Sequence, residues 1–92
     1  MLVLDLDYTV GTDTVVFRPE TNIKPEARAE VLSNFIHTQI GAGQDLREAV
    51  PLYTYHIRVE LDLSSDSYTW SHDCGNSSLA LGVLMAVLQK LS

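Results

Sequence analysis

A cysteine and a histidine lie close together just before the last predicted helix, and they are the best candidates for chemistry in the chain. Cys74 follows His72 by two residues, and Gly75 and Asn76 come next. A thiol at the N-terminus of a helix experiences the positive end of the helix dipole, and a nearby imidazolium also favours the thiolate. The spacing therefore predicts a cysteine of lowered pKa that could act as a nucleophile.

The segment Asp73-Cys74-Gly75, which precedes an apolar helix, resembles the nucleophile segment of the deubiquitinase-like and adenovirus-type cysteine peptidases. This short resemblance implies a thiol-dependent enzyme in which Cys74 opens a helix. Those peptidases place the catalytic histidine on a strand well before the cysteine, with an acid and an oxyanion-hole glutamine between them. Here His56 falls on the polar face of its strand, and Gln44 precedes that histidine.

The alternation of the preceding strand supports a different role for the thiol. Tyr68, Trp70, His72 and Cys74 occupy every second position, so the same pattern places Cys74 on the core side. A free cysteine in a core behaves as a small hydrophobic residue. We favour this interpretation and name no catalytic residue.

Two aspartates near the start of the chain form a second motif. Asp5-Leu6-Asp7-Tyr8-Thr9 resembles the nucleophile motif of the haloacid dehalogenase superfamily of phosphatases, which implies phosphorylation of Asp5, acid–base work by Asp7 and bound Mg²⁺. That family has a much larger fold. Alternation of both aspartates with leucines instead indicates the solvated face of a sheet. Asp5, Asp7 and Asp13 could also hold a divalent cation. We predict no metal site and no cofactor.

Four aromatic residues fall on the inner face of the second predicted hairpin: Tyr53, Tyr55, Tyr68 and Trp70. Cross-strand aromatic pairs stabilise sheets, so packing in the core is the first expectation. The alternative is a small-ligand pocket between the sheet and the helices, with these rings as its wall. On the opposite face, His56 and Arg58 are expected to form exposed ion pairs with nearby acidic residues.

Hydrophobic periodicity predicts the elements that position these residues. Alternation of apolar and polar residues predicts strands at 2–10, 14–18, 52–63 and 68–72. Apolar spacings of three and four predict helices at 25–40 and 77–91, and a short helical turn is expected at 45–50. The order ββα-ββα predicts one small α+β domain over residues 1–92. Its four-stranded antiparallel sheet should carry the two main helices packed on one face.

The last helix is apolar around most of its circumference, and so short a chain offers little material to cover it. A second copy is the expected cover, with Leu81, Leu84, Met85 and Leu88 at the interface. Ser78, Gly82 and Ala86 form a stripe of small residues that permits close approach of another backbone. The predicted third strand is longer than its neighbours, so a sheet edge is a second expected site of homo-oligomerisation.

Charge and composition limit the partners. Twelve acidic and six basic side chains give a net charge of −6, which disfavours nucleic acid and anionic membranes. Cys74 has no second cysteine with which to pair, and neither a signal segment nor a membrane span is expected, so we predict a cytoplasmic location. The sequence favours a binding or assembly domain that acts as a homo-oligomer, with a basic protein as a possible partner. The alternatives are the thiol enzyme and the small-ligand binder.

Overall fold

Four strands and two helices make up the structure, a computed structural model that describes residues 1–39, 46 and 52–92. In chain order they are β1 (Leu2–Thr9), β2 (Thr14–Phe17), α1 (Pro25–Thr38), β3 (Thr54–Asp62), β4 (Ser67–His72) and α2 (Ser77–Leu91). All strand pairs are antiparallel, in the spatial order β2-β1-β3-β4. The predicted α+β class and ββα-ββα order are confirmed. Apart from Leu46, the predicted turn at 45–50 lies outside the described residues.

The two faces of the sheet differ in chemistry because its strands alternate. The apolar face carries Leu4, Leu6, Tyr8, Tyr55, Ile57 and Val59, all of them buried beneath the two helices. The polar face, as we call the other side, carries Asp5, Asp7, His56, Arg58, Glu60 and Asp62, with Thr69 and Ser71 of β4 beside them. The register pairs Asp5 with Arg58 and Asp7 with His56, so acidic and basic residues lie directly across from one another.

Local sequence signals fix the ends of the helices. Pro25 occupies the first turn of α1, where its missing N–H costs no hydrogen bond. The Asn76 side chain caps α2 by accepting a hydrogen bond from the Leu79 backbone N–H at 2.8 Å. Leu32 and Phe35 of α1 are buried and join α2 in a single core with the sheet.

A single chain covers most of α2. Leu84 is 0% exposed and Leu81 is 5% exposed, so these two proposed interface residues have little surface left for a second copy. Met85 is 47% exposed, and Leu88 is partly buried. The sheet and α1 therefore already cover these two residues without a second chain, and homo-oligomerisation through the exposed part of α2 stays a prediction.

Strand β3 is shorter than the sequence pattern predicts. It has nine residues, and eight of them pair with β1. The predicted overhang is therefore wrong on the β1 side, whereas on the β4 side Thr54, Tyr55 and His56 extend beyond the paired segment. Tyr53 and Leu63 continue the alternation but lie outside the strand and are exposed. The alternation included them because the pattern within one strand does not show where its partner strand ends.

Gly11 supports the β1–β2 turn through its small size. A Cβ atom at this position would lie 2.6 Å from the backbone nitrogen of Leu52, closer than real contacts allow. The residue of positive φ in this turn is Asp13, at 51°. Neither described helix is both long and apolar enough to cross a membrane.

Candidate functional site

Cys74 lies in the core, two residues before the Asn76 cap of α2. Its side chain is 6% exposed and packs in the same cluster as the sheet and both helices. Burial, with a smaller contribution from the Asp73 carboxylate, raises the pKa of the thiol from 9.0 to about 11. The predicted lowering of this pKa is therefore wrong, and the interpretation of Cys74 as a small core residue is confirmed.

His72 does not serve as a base for the thiol. Its Nδ1 accepts a hydrogen bond from the backbone N–H of Cys74 at 3.2 Å, and its ring lies 4.9 Å from that of Trp70. His56 lies on the polar face, on the other side of the sheet from the core. Among the described residues no histidine hydrogen bonds to the Cys74 sulfur, so the cysteine–histidine arrangement of the peptidases is not formed.

The four aromatic residues proposed as a ligand wall separate into two groups. Tyr68 and Trp70 pack against Phe35 of α1, with ring centroids 5.4 and 5.2 Å apart. Tyr53 and Tyr55 pair with each other at 4.5 Å, nearer the other end of β3. Phe35 occupies the space that a ligand would need between Trp70 and the helices. Sequence reasoning placed Phe35 on the apolar side of its helix but could not show which strand it meets.

The polar face instead contains a network of ionic hydrogen bonds centred on Asp5. One carboxylate oxygen of Asp5 bonds to His56 Nε2, and the other accepts from Arg58 Nη1 at 3.1 Å. Asp5 is 2% exposed, so the prediction that it lies on a solvated face is wrong. It is the one charged residue buried in the described part of the chain, and both of its oxygens are paired, as a buried charge requires.

Arg58 is shared by three carboxylates. Besides Asp5, its guanidinium donates from Nε to Glu60 at 2.7 Å and from Nη1 to Glu20. Glu60, followed by Glu20, raises the pKa of Arg58 above its usual range. For Asp5, burial would raise the pKa, but His56 and Arg58 outweigh it and hold the pKa below 3.8. Both groups are therefore charged at neutral pH and fixed in position.

A shallow cavity of about 220 Å³ opens on the polar face beside this network. Arg58, Glu60, Thr69, Trp70 and Ser71 line it. The lining offers a guanidinium, a carboxylate and two hydroxyl groups within one depression, which suits a polar or charged side chain of a partner. The alternation of β3 and β4 placed Arg58, Glu60, Thr69 and Ser71 on one face, but their common cavity depends on the strand register.

The three aspartates considered as cation ligands are engaged elsewhere. Asp7 accepts hydrogen bonds from Arg18 at 3.1 and 3.2 Å. Asp13 bonds to the Tyr8 hydroxyl and lies 3.4 Å from the Lys90 amine near the end of α2. Across residues 1–39, 46 and 52–92, no three His, Cys, Asp or Glu side chains are placed to hold a metal ion.

The pairing of Asp5 with two basic side chains also separates the Asp5–Thr9 motif from the phosphatase arrangement. Comparison with known protein families, with curated proteins and with solved structures finds no match.

Proposed function

We propose that the protein is a binding module whose polar face docks a basic segment of a protein partner. The observation that carries this proposal is the Asp5 network, which holds charged groups in fixed positions across the sheet. Side chains fixed before binding lose less conformational entropy when a partner arrives, so the same contacts yield a higher affinity.

The charge of the polar face favours a cationic partner. Its strands and the adjoining residues 18–22 carry five carboxylates, those of Asp5, Asp7, Glu20, Glu60 and Asp62. Arg18 and Arg58 are the two guanidinium groups among them. The excess of negative charge complements lysine and arginine side chains, and complementary charge chiefly accelerates association and sets specificity.

Binding of a decalysine peptide, measured by NMR at low ionic strength, tests the proposal. We expect the amide shifts of β3 and β4 residues on the polar face to move, and those of the α1 surface to stay unchanged. Salt should weaken the interaction steeply, because exposed charges are screened beyond the Debye length. A decaglutamate peptide of the same length serves as the control ligand.

Two charge-matched double variants locate the contact. Glu60→Gln with Asp62→Asn removes two charges from the polar face, whereas Glu26→Gln with Asp66→Asn removes two from α1 and from the β3–β4 turn. Exposed ion pairs contribute about 0.2–1 kcal/mol each, so the first variant should bind several-fold more weakly than the second. Equal weakening by both variants would show that decalysine responds only to net charge, and would overturn the proposed site.

A further inference from the structure

The N-terminal half of β1 extends past the end of β2. The pairing of these strands covers Leu6–Thr9 of β1, which meet Thr14–Phe17 of β2. Residues 18–22, which we call the edge strap, run beside the preceding residues of β1 without forming a strand. An edge of this kind offers unpaired N–H and C=O groups to any other strand unless something covers them.

The edge strap satisfies those groups mainly with side chains. Asn22 Oδ1 accepts from the Val3 N–H at 2.7 Å, and the Asn22 N–H donates to the Val3 carbonyl at 3.1 Å. Thr21 Oγ1 accepts from the Asp5 N–H at 2.9 Å and donates to the Asp5 carbonyl at 2.7 Å. The Arg18 N–H reaches the same carbonyl at 2.8 Å. The backbone N–H and C=O groups that Val3 and Asp5 direct toward this edge therefore all have hydrogen-bond partners in the strap.

The strap is attached at two further points. Glu20 bonds to Arg58 on the polar face, and Ile23, which follows the strap, is 4% exposed in the core. Between these anchors the contacts with β1 are hydrogen bonds of partly exposed groups, which contribute about 0.5–1.5 kcal/mol each. Such a segment can open locally while the core stays folded.

We propose that the edge strap blocks strand addition to β1, and that its release lets a second copy of this chain pair there through its own β1. Two identical edges can pair antiparallel about a two-fold axis perpendicular to the sheet. That axis places the apolar faces of both copies on one side of the joined sheet and their polar faces on the other. The division into an apolar and a polar face therefore continues across the new junction. This inference is independent of the proposed basic partner.

The double variant Thr21→Val with Asn22→Ala tests the block, because it removes the side-chain hydrogen bonds and preserves much of the bulk. We expect its mass in sedimentation to rise with concentration toward twice that of the wild type. Hydrogen exchange at the Val3 and Asp5 amides should also accelerate in dilute solution. Thr12→Val with Asn34→Ala is the matched control, since both positions are exposed and distant from this edge.

A folded double variant that keeps the wild-type mass and the wild-type exchange rates would overturn the proposal. If the variant does not fold, exchange in the wild-type protein decides the question. The Val3 and Asp5 amides, which face the strap, should then exchange faster than those of Leu4 and Leu6, which face β3. Equal rates for the two sets would show that the strap opens only with the whole fold, and would equally overturn the proposal.

Discussion

Individual residues of this protein owe their chemistry to what surrounds them, and Cys74 shows this most clearly. The motif around it predicts an activated thiol, whereas packing makes it a weaker acid than free cysteine. The alternation through Trp70 and His72 was the better guide, because it carries the thiol to the apolar side of the sheet. Position relative to the core therefore outweighs proximity to a helix N-terminus here.

We expect Cys74 to be protected from alkylation in the native protein. Iodoacetamide at pH 8 should react far more slowly with the folded chain than with the chain in urea, because burial limits access and the thiolate fraction is small. Mass spectrometry of the carbamidomethylated product measures both rates. Faster reaction in the folded state would contradict the assignment and would revive the enzyme hypothesis.

Asp5 is the second residue whose surroundings reverse a sequence expectation. Asp5→Asn should lower the free energy of unfolding by about 1–3 kcal/mol at pH 7, because charge-assisted hydrogen bonds to His56 and Arg58 are lost. Urea denaturation measures the change. Asp66→Asn, in an exposed turn, is the matched control and should alter stability little.

The pH dependence of stability follows from the direction of the Asp5 shift. The folded pKa is below 3.8, so the unfolded chain takes up the proton first as the solution is acidified. The contribution of Asp5 is therefore complete above about 3.8 and is lost as pH falls through the lower folded value. Asp5→Asn should flatten the stability profile in this acid range, and an unchanged profile would contradict the network.

At the scale of elements, α2 shows what an apolar helix does and does not imply. Its composition correctly predicts burial on several sides, but the source of the cover could not be read from the chain alone. The four-stranded sheet and α1 together provide that cover. Whether a helix is buried against its own chain or against another depends on how far the sheet extends beneath it. That extent depends on which strands pair and on how long they are.

Substitutions in α2 separate the two kinds of cover. Leu84→Ala should lower the free energy of unfolding by about 2–5 kcal/mol, because it leaves a cavity in a fully buried site. Met85→Ala, at the neighbouring and half-exposed position, should lower the free energy of unfolding much less. Thermal and urea denaturation compare them. Equal losses at both positions, or a change of native mass with Leu84→Ala, would contradict burial within one chain.

Strand boundaries and register explain the remaining differences between the sequence analysis and the fold. The alternation of β1 and β3 correctly identified both strands and both faces, because one side chain in two must enter the core. It could not show that Asp5 lies opposite Arg58, since register depends on partners far apart in the chain. The predicted ion pairing of His56 and Arg58 with acidic residues is confirmed, but the burial of Asp5, the cavity and the edge strap depend on contacts between distant segments and were therefore missed.

For the whole molecule, the division of the sheet into two faces places the apolar core and the proposed binding surface on opposite sides. The helices and the apolar face form the core, and the polar face carries most of the organised ion pairs. Lys90 of α2 lies 3.4 Å from Asp13, so the C-terminal end of α2 lies beside the β1–β2 turn. We therefore expect substitutions on the polar face to alter the proposed binding while leaving the core packing in place.

The contact between Gly11 and Leu52 has a consequence for how this sequence can evolve. A side chain at position 11 would meet both the backbone nitrogen and the side chain of Leu52, and no substitution elsewhere can remove the backbone atom. Descendants of this chain that keep the fold should therefore retain glycine there, even as the neighbouring turn residues diverge.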